Sequence, residues 1–239
     1  MAKFHSIFDI IGPVMIGPSS SHTAGAVRIG LASRAIFGET PENVQITFFG
    51  SFAHTYKGHG TDLALIGGLL GLSTANPDIR YAYDLAKETG MKVKIVTSQE
   101  KMKHPNTAEV RMTKGSRTVS VTGISTGGGS IDLVEIDGFN VHVHNDNPVI
   151  LIFHMDRPGV IASVTRVIGQ HRLNISQMEV SRKTKGKLAL MLIATDGEIP
   201  DATLEEIAAV KHIVQIIDLS EIRREPNGTK ALMAKGAAQ

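Results

Sequence analysis

The sequence predicts an α/β (α+β) chain in two parts, with a flexible tail over residues 223–239. Residues 1–146 read as a mixed sheet covered by helices, and 147–222 as a β-α-β-β-α-β module. Three observations carry this expectation. Short β-branched or alternating runs interleave with stretches of three- and four-residue apolar period, the signatures of strands and helices. The pattern starts afresh after Asn147 and then reads strand, helix, strand, strand, helix, strand. The chain has 239 residues, 42% hydrophobic and 20% charged, a length comfortable for two cores rather than one.

Residues 4–11 form a short apolar segment, followed by the Ser-rich stretch "GPSSSHT" (17–23). Residues 24–37 read as a helix, with Ala24, Val27, Leu31 and Ala35 on one face. Arg28 lies on that same face, where it is expected either to pair with a carboxylate or to clamp a ligand carboxylate bidentately. "VQITFFGSF" (44–52) is a strand by its β-branched and aromatic content, and "GHG" (58–60) is a break. A helix capped by Thr61 or Asp62 runs to residue 72, and another over 79–88 stops at Gly90. "KVKIV", "AEVRM", "TVSVTGIS" and "IDLVEID" are strands, the last three antiparallel, with Gly127-Gly128-Gly129 separating two of them.

In the second half "PVILIFHM" is a strand and Arg157-Pro158-Gly159 a turn. Val160, Ile161, Val164, Val167 and Ile168 then make one stripe of a helix. "LNISQMEVSR" and "KLALMLIAT" are strands joined by "KTKGK", "DATLEEIAAV" is a helix capped by Asp201, and "HIVQIIDL" is a last strand. That order is a ferredoxin-like split unit. The segment 225–239 is rich in Gly, Ala and Lys and is expected to fray.

Composition excludes several functions. The formal net charge is +2 and the basic residues are dispersed, so no clustered footprint for nucleic acid is present. No uncharged apolar run approaches the roughly 18 residues of a membrane span, and the amino end has no secretory pattern, so a cytoplasmic location is expected. Cysteine is absent, which removes disulfides, thiolate nucleophiles and thiolate-held metal centres from this chain's own chemistry.

Four stretches concentrate small and polar groups: "GPSSSHT" (17–23), "YKGHGTD" (56–62), "HPNT" (104–107) and "STGGG" (125–129). Each falls at a strand–helix or strand–strand junction, where sheets of this class place ligand sites. A helix start needs one capping oxygen, yet Ser19, Ser20, Ser21, His22 and Thr23 line up five polar side chains. The surplus points to a small anionic ligand at a helix N-terminus. Singly, each stretch also reads as a cap, a turn or a flexible link. A phosphate-binding Gly-Lys-Ser/Thr loop is missing, and Gly17 to Ser21 lacks the last glycine of a hydrolase elbow. His142 and His144 alternate on one strand and could share an ion, but no third ligand stands at suitable spacing.

Taken together and in this order, the four stretches resemble the β subunit of bacterial iron–sulfur-dependent L-serine dehydratase, over essentially the first 145 residues. The second half resembles an ACT domain, the amino-acid-binding module, with its Asp-x-Pro-Gly turn at Asp156, Pro158 and Gly159. The resemblance implies deamination of L-serine to pyruvate and ammonia with a 4Fe-4S cluster. Because this chain has no cysteine, the resemblance puts the cluster's ligands on a partner α subunit. It further implies His59 and His22 as catalytic histidines facing the cluster, His59 being the general base. Ser19, Ser20, Ser21 and Thr23 would bind the substrate carboxylate or ammonium group. Lys57, Asp62, His104 and Asn106 would orient it.

In the ACT-like half the resemblance puts an effector, L-serine, near Asp156, Gly159 and Val160, with Asn174 and Ser176 as further candidates. The equal alternative is self-association through sheet edges and helices. The first half also resembles ligand-binding domains of phosphoglycerate dehydrogenases, which leaves open a stand-alone amino-acid sensor without catalysis.

Overall fold

The computed structural model describes residues 18–144, 147–220 and the backbone of 231–233. The apolar segment 4–11 and Gly17 therefore lie outside the described residues, as does the tail apart from 231–233. The chain divides into two compact units, Met1–Asp137 and Gly138–Gln239.

In the first unit a π-helical turn, Ser20–Ala24, leads into α1 (Gly25–Phe37). There follow β1 (Asn43–Phe49), α2 (Gly50–His59), α3 (Thr61–Leu69), a 3-10 turn (Pro77–Tyr81) and α4 (Ala82–Glu88). The unit closes with β2 (Lys92–Ser98), β3 (Asn106–Lys114), β4 (Arg117–Gly127) and β5 (Ser130–Ile136). Within it the strands neighbour one another in the order β2-β1-β3-β4-β5. β1 and β2 are parallel and the other pairs antiparallel, so the sheet is mixed. Val44, Ile46 and Phe48 of β1 are buried at alternate positions, as a strand's two-residue period demands. Ile29 of α1 packs on Gly123 of β4, where no side chain larger than hydrogen fits without moving the isoleucine.

α1 and α3 touch through glycine. A Cβ at Gly30 would lie 2.3 Å from the Leu65 carbonyl oxygen, and one at Gly68 would lie 2.1 Å from that of Val27. Side-chain-free surfaces let the two backbones meet, which fixes the first half of α1 against the second half of α3.

Four readings from sequence change here. The strand stops at Phe49, and "GSF" opens α2, because Gly50 at φ +52° turns the chain out of the sheet. "GHG" is accordingly the end of that helix, with Gly60 at φ +63° as its left-handed terminator. Gly60 also precedes α3 directly, so neither Thr61 nor Asp62 caps it, and α3 ends at Leu69. The 79–88 helix splits into the 3-10 turn and α4, with Gly90 at φ +78° beyond them as expected.

The second unit comprises β6 (Phe139–His144), β7 (Val149–Met155), α5 (Val160–Gln170), β8 (Ile175–Arg182), β9 (Leu188–Thr195), α6 (Asp201–Ala208), β10 (Ile213–Asp218) and β11 (Ala231–Met233). One sheet runs β11-β10-β7-β9-β8, with antiparallel neighbours throughout. The helices bury Val160, Val164, Ile168, Leu204 and Ile207 against Ile150, Ile152, Met191, Ile193, Ile213 and Ile216 of the sheet. This is the ferredoxin-like arrangement the sequence predicts. Pro200, not Asp201, holds the N-cap position of α6. His142 and His144 do face the same way on β6, both exposed, and His142 Nδ1 sits 3.2 Å from Glu179. No described helix is long and apolar enough to cross a membrane.

Candidate active site

The site grows from the π-helical turn. One extra residue per turn widens the coil at Ser20–Ala24, a local irregularity that proteins keep mostly where function needs it. Ser19 caps it, its Oγ accepting from the His22 backbone N–H at 3.3 Å. The same turn brings hydroxyls to the imidazole: His22 Nδ1 lies 3.2 Å from Ser19 Oγ and 3.0 Å from Ser21 Oγ. On the opposite edge of the ring, Nε2 lies 3.2 Å from Ser51 Oγ.

α2 supplies the facing wall. Phe52 and His59 are seven residues apart and so share a helix face. The His22 ring sits 5.3 Å from the Phe52 ring and 4.6 Å from the His59 ring, edge-on to both. Thr23 Oγ1 is 3.5 Å from the His59 carbonyl oxygen. His59 Nδ1 is buried and has no hydrogen-bond partner among the described residues.

Burial first, and the neighbouring His59 second, hold the His22 imidazole below its ordinary value of 6.5. A histidine depressed in the folded state binds fewer protons than the unfolded chain just below that value. Stability is therefore full above pH 6.5 and declines as pH falls through the window between the unfolded and folded values. Urea titrations between pH 5 and 7.5 (roughly the range in which histidine titrates) are expected to show this decline flattened in His22→Gln.

The other motifs frame the pair. Pro105 O accepts from the Ser51 N–H at 2.7 Å, so "HPNT" seats the start of α2. His104 Nδ1 accepts from the Asn106 N–H at 3.2 Å, its carbonyl takes the Thr107 hydroxyl at 2.6 Å, and Asn106 Nδ2 reaches the Ser125 carbonyl at 3.4 Å. Ser125 is fully buried against Gly25, its hydroxyl unpartnered among the described residues. Gly127, Gly128 and Gly129 all have positive φ, and the last offers its carbonyl to Arg28 Nη1 at 2.6 Å. Arg28 thus holds a backbone oxygen, and no carboxylate pairs with it among the described residues.

Asp62 turns elsewhere. Its carboxylate accepts from the Tyr83 hydroxyl at 3.0 Å and the Leu63 N–H at 2.9 Å. Burial and this carboxylate push the Tyr83 phenol well above its ordinary range. Lys57 is exposed, its Nζ 5.9 Å from the centroid of the Tyr56 ring. So Ser19, Ser21, His22, Thr23 and His59 come together with Ser51, a residue hidden from sequence inspection inside an apparent strand. Ser20 lies on the same turn.

In the second unit Asp156 staples the β8–β9 turn. Its Oδ2 accepts from the Gly186 N–H at 2.9 Å and Arg182 Nη1 at 3.1 Å. The Gly186 N–H, against partial burial and with help from Arg182, keeps the carboxyl below its ordinary value. Gly159 at φ +87° holds the N-cap position of α5, and Val160 is buried beneath it. His154, two residues before Asp156, is 2% exposed, with Nδ1 2.9 Å from the Met155 carbonyl and Nε2 unpartnered among the described residues. Nothing in its strand-like surroundings marked it. Asn174 binds Asp196 at 2.6 Å, and Ser176 accepts from Asn147 at 3.0 Å.

Comparison with known proteins agrees with this division. Residues 6–113 match the family described as serine dehydratase beta chain, and residues 148–212 match the ACT domain. A probable L-serine dehydratase beta chain of Bacillus subtilis (strain 168) is 45% identical over 219 residues, covering 92% of this chain and 100% of that one. The L-serine dehydratase beta chain of Peptoniphilus asaccharolyticus is 31% identical over 209 residues, 87% of this chain and 94% of the relative. A D-3-phosphoglycerate dehydrogenase of Bacillus subtilis is 30% identical over 81% of this chain, but only 37% of its own length is involved. The chain therefore belongs to the L-serine dehydratase beta-chain family, lyase subunits, and carries an ACT domain in its C-terminal half.

Proposed function

We propose that this chain is the β subunit of an L-serine ammonia-lyase and supplies one wall of its active site. The observation that carries this reading is the His22–His59 pair, rings 4.6 Å apart, ringed by the hydroxyls of the π-helical turn. Deamination removes the Cα proton and the Cβ hydroxyl of L-serine; the enamine left behind tautomerises and is hydrolysed to pyruvate and ammonia. The Cα proton is only weakly acidic, so a positioned base is needed. His59 takes it. A proton on one of two adjacent rings disfavours a proton on the other, so the depressed His22 stays neutral as His59 becomes charged.

Ser19, Ser20, Ser21 and Thr23 bind the carboxylate or ammonium group of L-serine at the start of the helix. His104 and Asn106 act by shaping the corner that holds Ser51, and Lys57 orients the substrate, whereas the Asp62 carboxylate is taken up by Tyr83 and Leu63.

The chain's own donors do not fit a 4Fe-4S cluster. It has no cysteine, and among the described residues no three His, Asp or Glu converge as metal ligands. We therefore assign the cluster to cysteines of a partner α subunit, in the cytoplasm. The ACT unit serves regulation, with L-serine at the turn of Asp156, Gly159 and Val160, or self-association. Exposed Met178 and Val180 on β8, an edge strand, favour self-association.

The partial match to phosphoglycerate dehydrogenase, an enzyme of other chemistry, favours one rival reading, an amino-acid sensor that never meets an α subunit. Reconstitution separates the two. The purified chain is expected to show no cluster absorbance and to make no pyruvate from L-serine. Anaerobic mixing with the cysteine-bearing α subunit is expected to restore both. Iron retained stoichiometrically by the chain alone, or turnover without the α subunit, would refute the proposal; a chain that binds L-serine but never assembles would establish the sensor.

A further inference from the structure

We propose that Ser51 is the positioning residue of His22: the β1–α2 corner presents its hydroxyl to Nε2 and thereby fixes the imidazole against His59. The proposal deepens the reading of His22 as an active-site group and rests on it.

The corner is built for one geometry. β1 ends extended at Phe49, with φ −122° and ψ 158°. Gly50 then turns at φ +52°, and a Cβ on it would lie 2.6 Å from the Pro105 carbonyl oxygen, so a glycine is required twice over. Gly50 also bridges to Asn106, and the Ser51 N–H donates to Pro105 O at 2.7 Å. The Ser51 carbonyl is occupied by the Thr55 hydroxyl at 2.8 Å. With its main chain held on both sides, Ser51 has only its hydroxyl left, and that group reaches His22 Nε2 at 3.2 Å.

The result is an imidazole gripped by hydroxyls at both nitrogens, Ser19 and Ser21 at Nδ1 and Ser51 at Nε2. A hydroxyl donates or accepts as required. A carboxylate in its place would fix one tautomer and raise the ring's proton affinity. Hydroxyls instead let the ring exchange its proton between nitrogens without moving. The "HPNT" loop acquires a purpose in this arrangement: it holds the serine that holds the histidine.

The test uses the full chain, alone and with the α subunit. Ser51→Ala retains the main-chain bond to Pro105 and is expected to fold, and Ser51→Thr retains the hydroxyl. In the chain alone, the nitrogen-15 resonances of His22 Nε2 and Nδ1 are expected to move in opposite directions in Ser51→Ala as the tautomer balance shifts, and Ser51→Thr is expected to restore them. In the assembled enzyme, Ser51→Ala is expected to lower kcat by about 10- to 100-fold with KM changed by less than about twofold. Ser51→Thr should recover most of that loss. An unmoved Nε2 resonance, or a kcat loss that threonine leaves unrepaired, would overturn the positioning role. His22→Gln decides the underlying reading separately: full kcat in that variant removes His22 from catalysis even where the hydrogen bond is proven.

Discussion

Gly68→Ala is expected to destabilise the first unit by about 3 kcal/mol or more, the upper range for forcing a methyl group into a filled interior. A Cβ at this position would stand 2.1 Å from the Val27 carbonyl oxygen, 2.9 Å from the Leu31 nitrogen and 3.0 Å from the Gly30 Cα. All three are backbone atoms, so no rotamer can yield and α1 must separate from α3. In thermal unfolding this corresponds to a drop of about 6–12 °C in the first unit's transition. The transition of the second unit, which has its own core, should hardly move. Gly58→Ala is the control. Nothing lies within 4 Å of its virtual Cβ, so the change should be neutral or stabilise α2 by up to about 1 kcal/mol. A Gly68→Ala protein melting with its parent would mean that the helices do not touch as described.

His59→Ala, assembled with the α subunit, is expected to lower kcat by about 10²- to 10⁴-fold, the usual contribution of a general base. Stability should change little. The ring is only half-buried, and its Nδ1 is already unsatisfied, so truncation removes a desolvated polar atom rather than a hydrogen bond. Assembly and thermal unfolding of the variant therefore check that lost turnover is chemical. Near-normal kcat would take the base assignment away from His59.

Much of this architecture was legible in the chain itself, for identifiable reasons. Strands with one buried face announce themselves by alternation, as at Val44, Ile46 and Phe48, and the fully buried β7 and β9 by unbroken apolar runs. The four polar stretches stood out because short hydroxyl and glycine runs have no use in a core. Their meeting point was not legible. It depends on Gly50 taking a left-handed turn between two phenylalanines, Phe49 and Phe52, whose aromatic character reads as a continuous strand. Ser51 vanished inside that reading. Arg28 was visible as a charge on an apolar face, but a backbone carbonyl at a hairpin tip as its partner has no sequence signature. His154 was hidden for the opposite cause: a buried imidazole on a fully buried strand looks like one more filler residue.

The π-helical turn at Ser20–Ala24 has a consequence for the helix behind it. Each residue of a regular helix advances the azimuth by about 100°. Removing the surplus residue to make an ordinary coil would spin everything downstream by that angle relative to the hydroxyls in front. Gly30 would then rotate off Gly68, or, with that crossing kept, His22 would swing off the Ser51 hydroxyl. The irregularity is the phase adjuster that lets one rod satisfy a packing contact and a chemical one together.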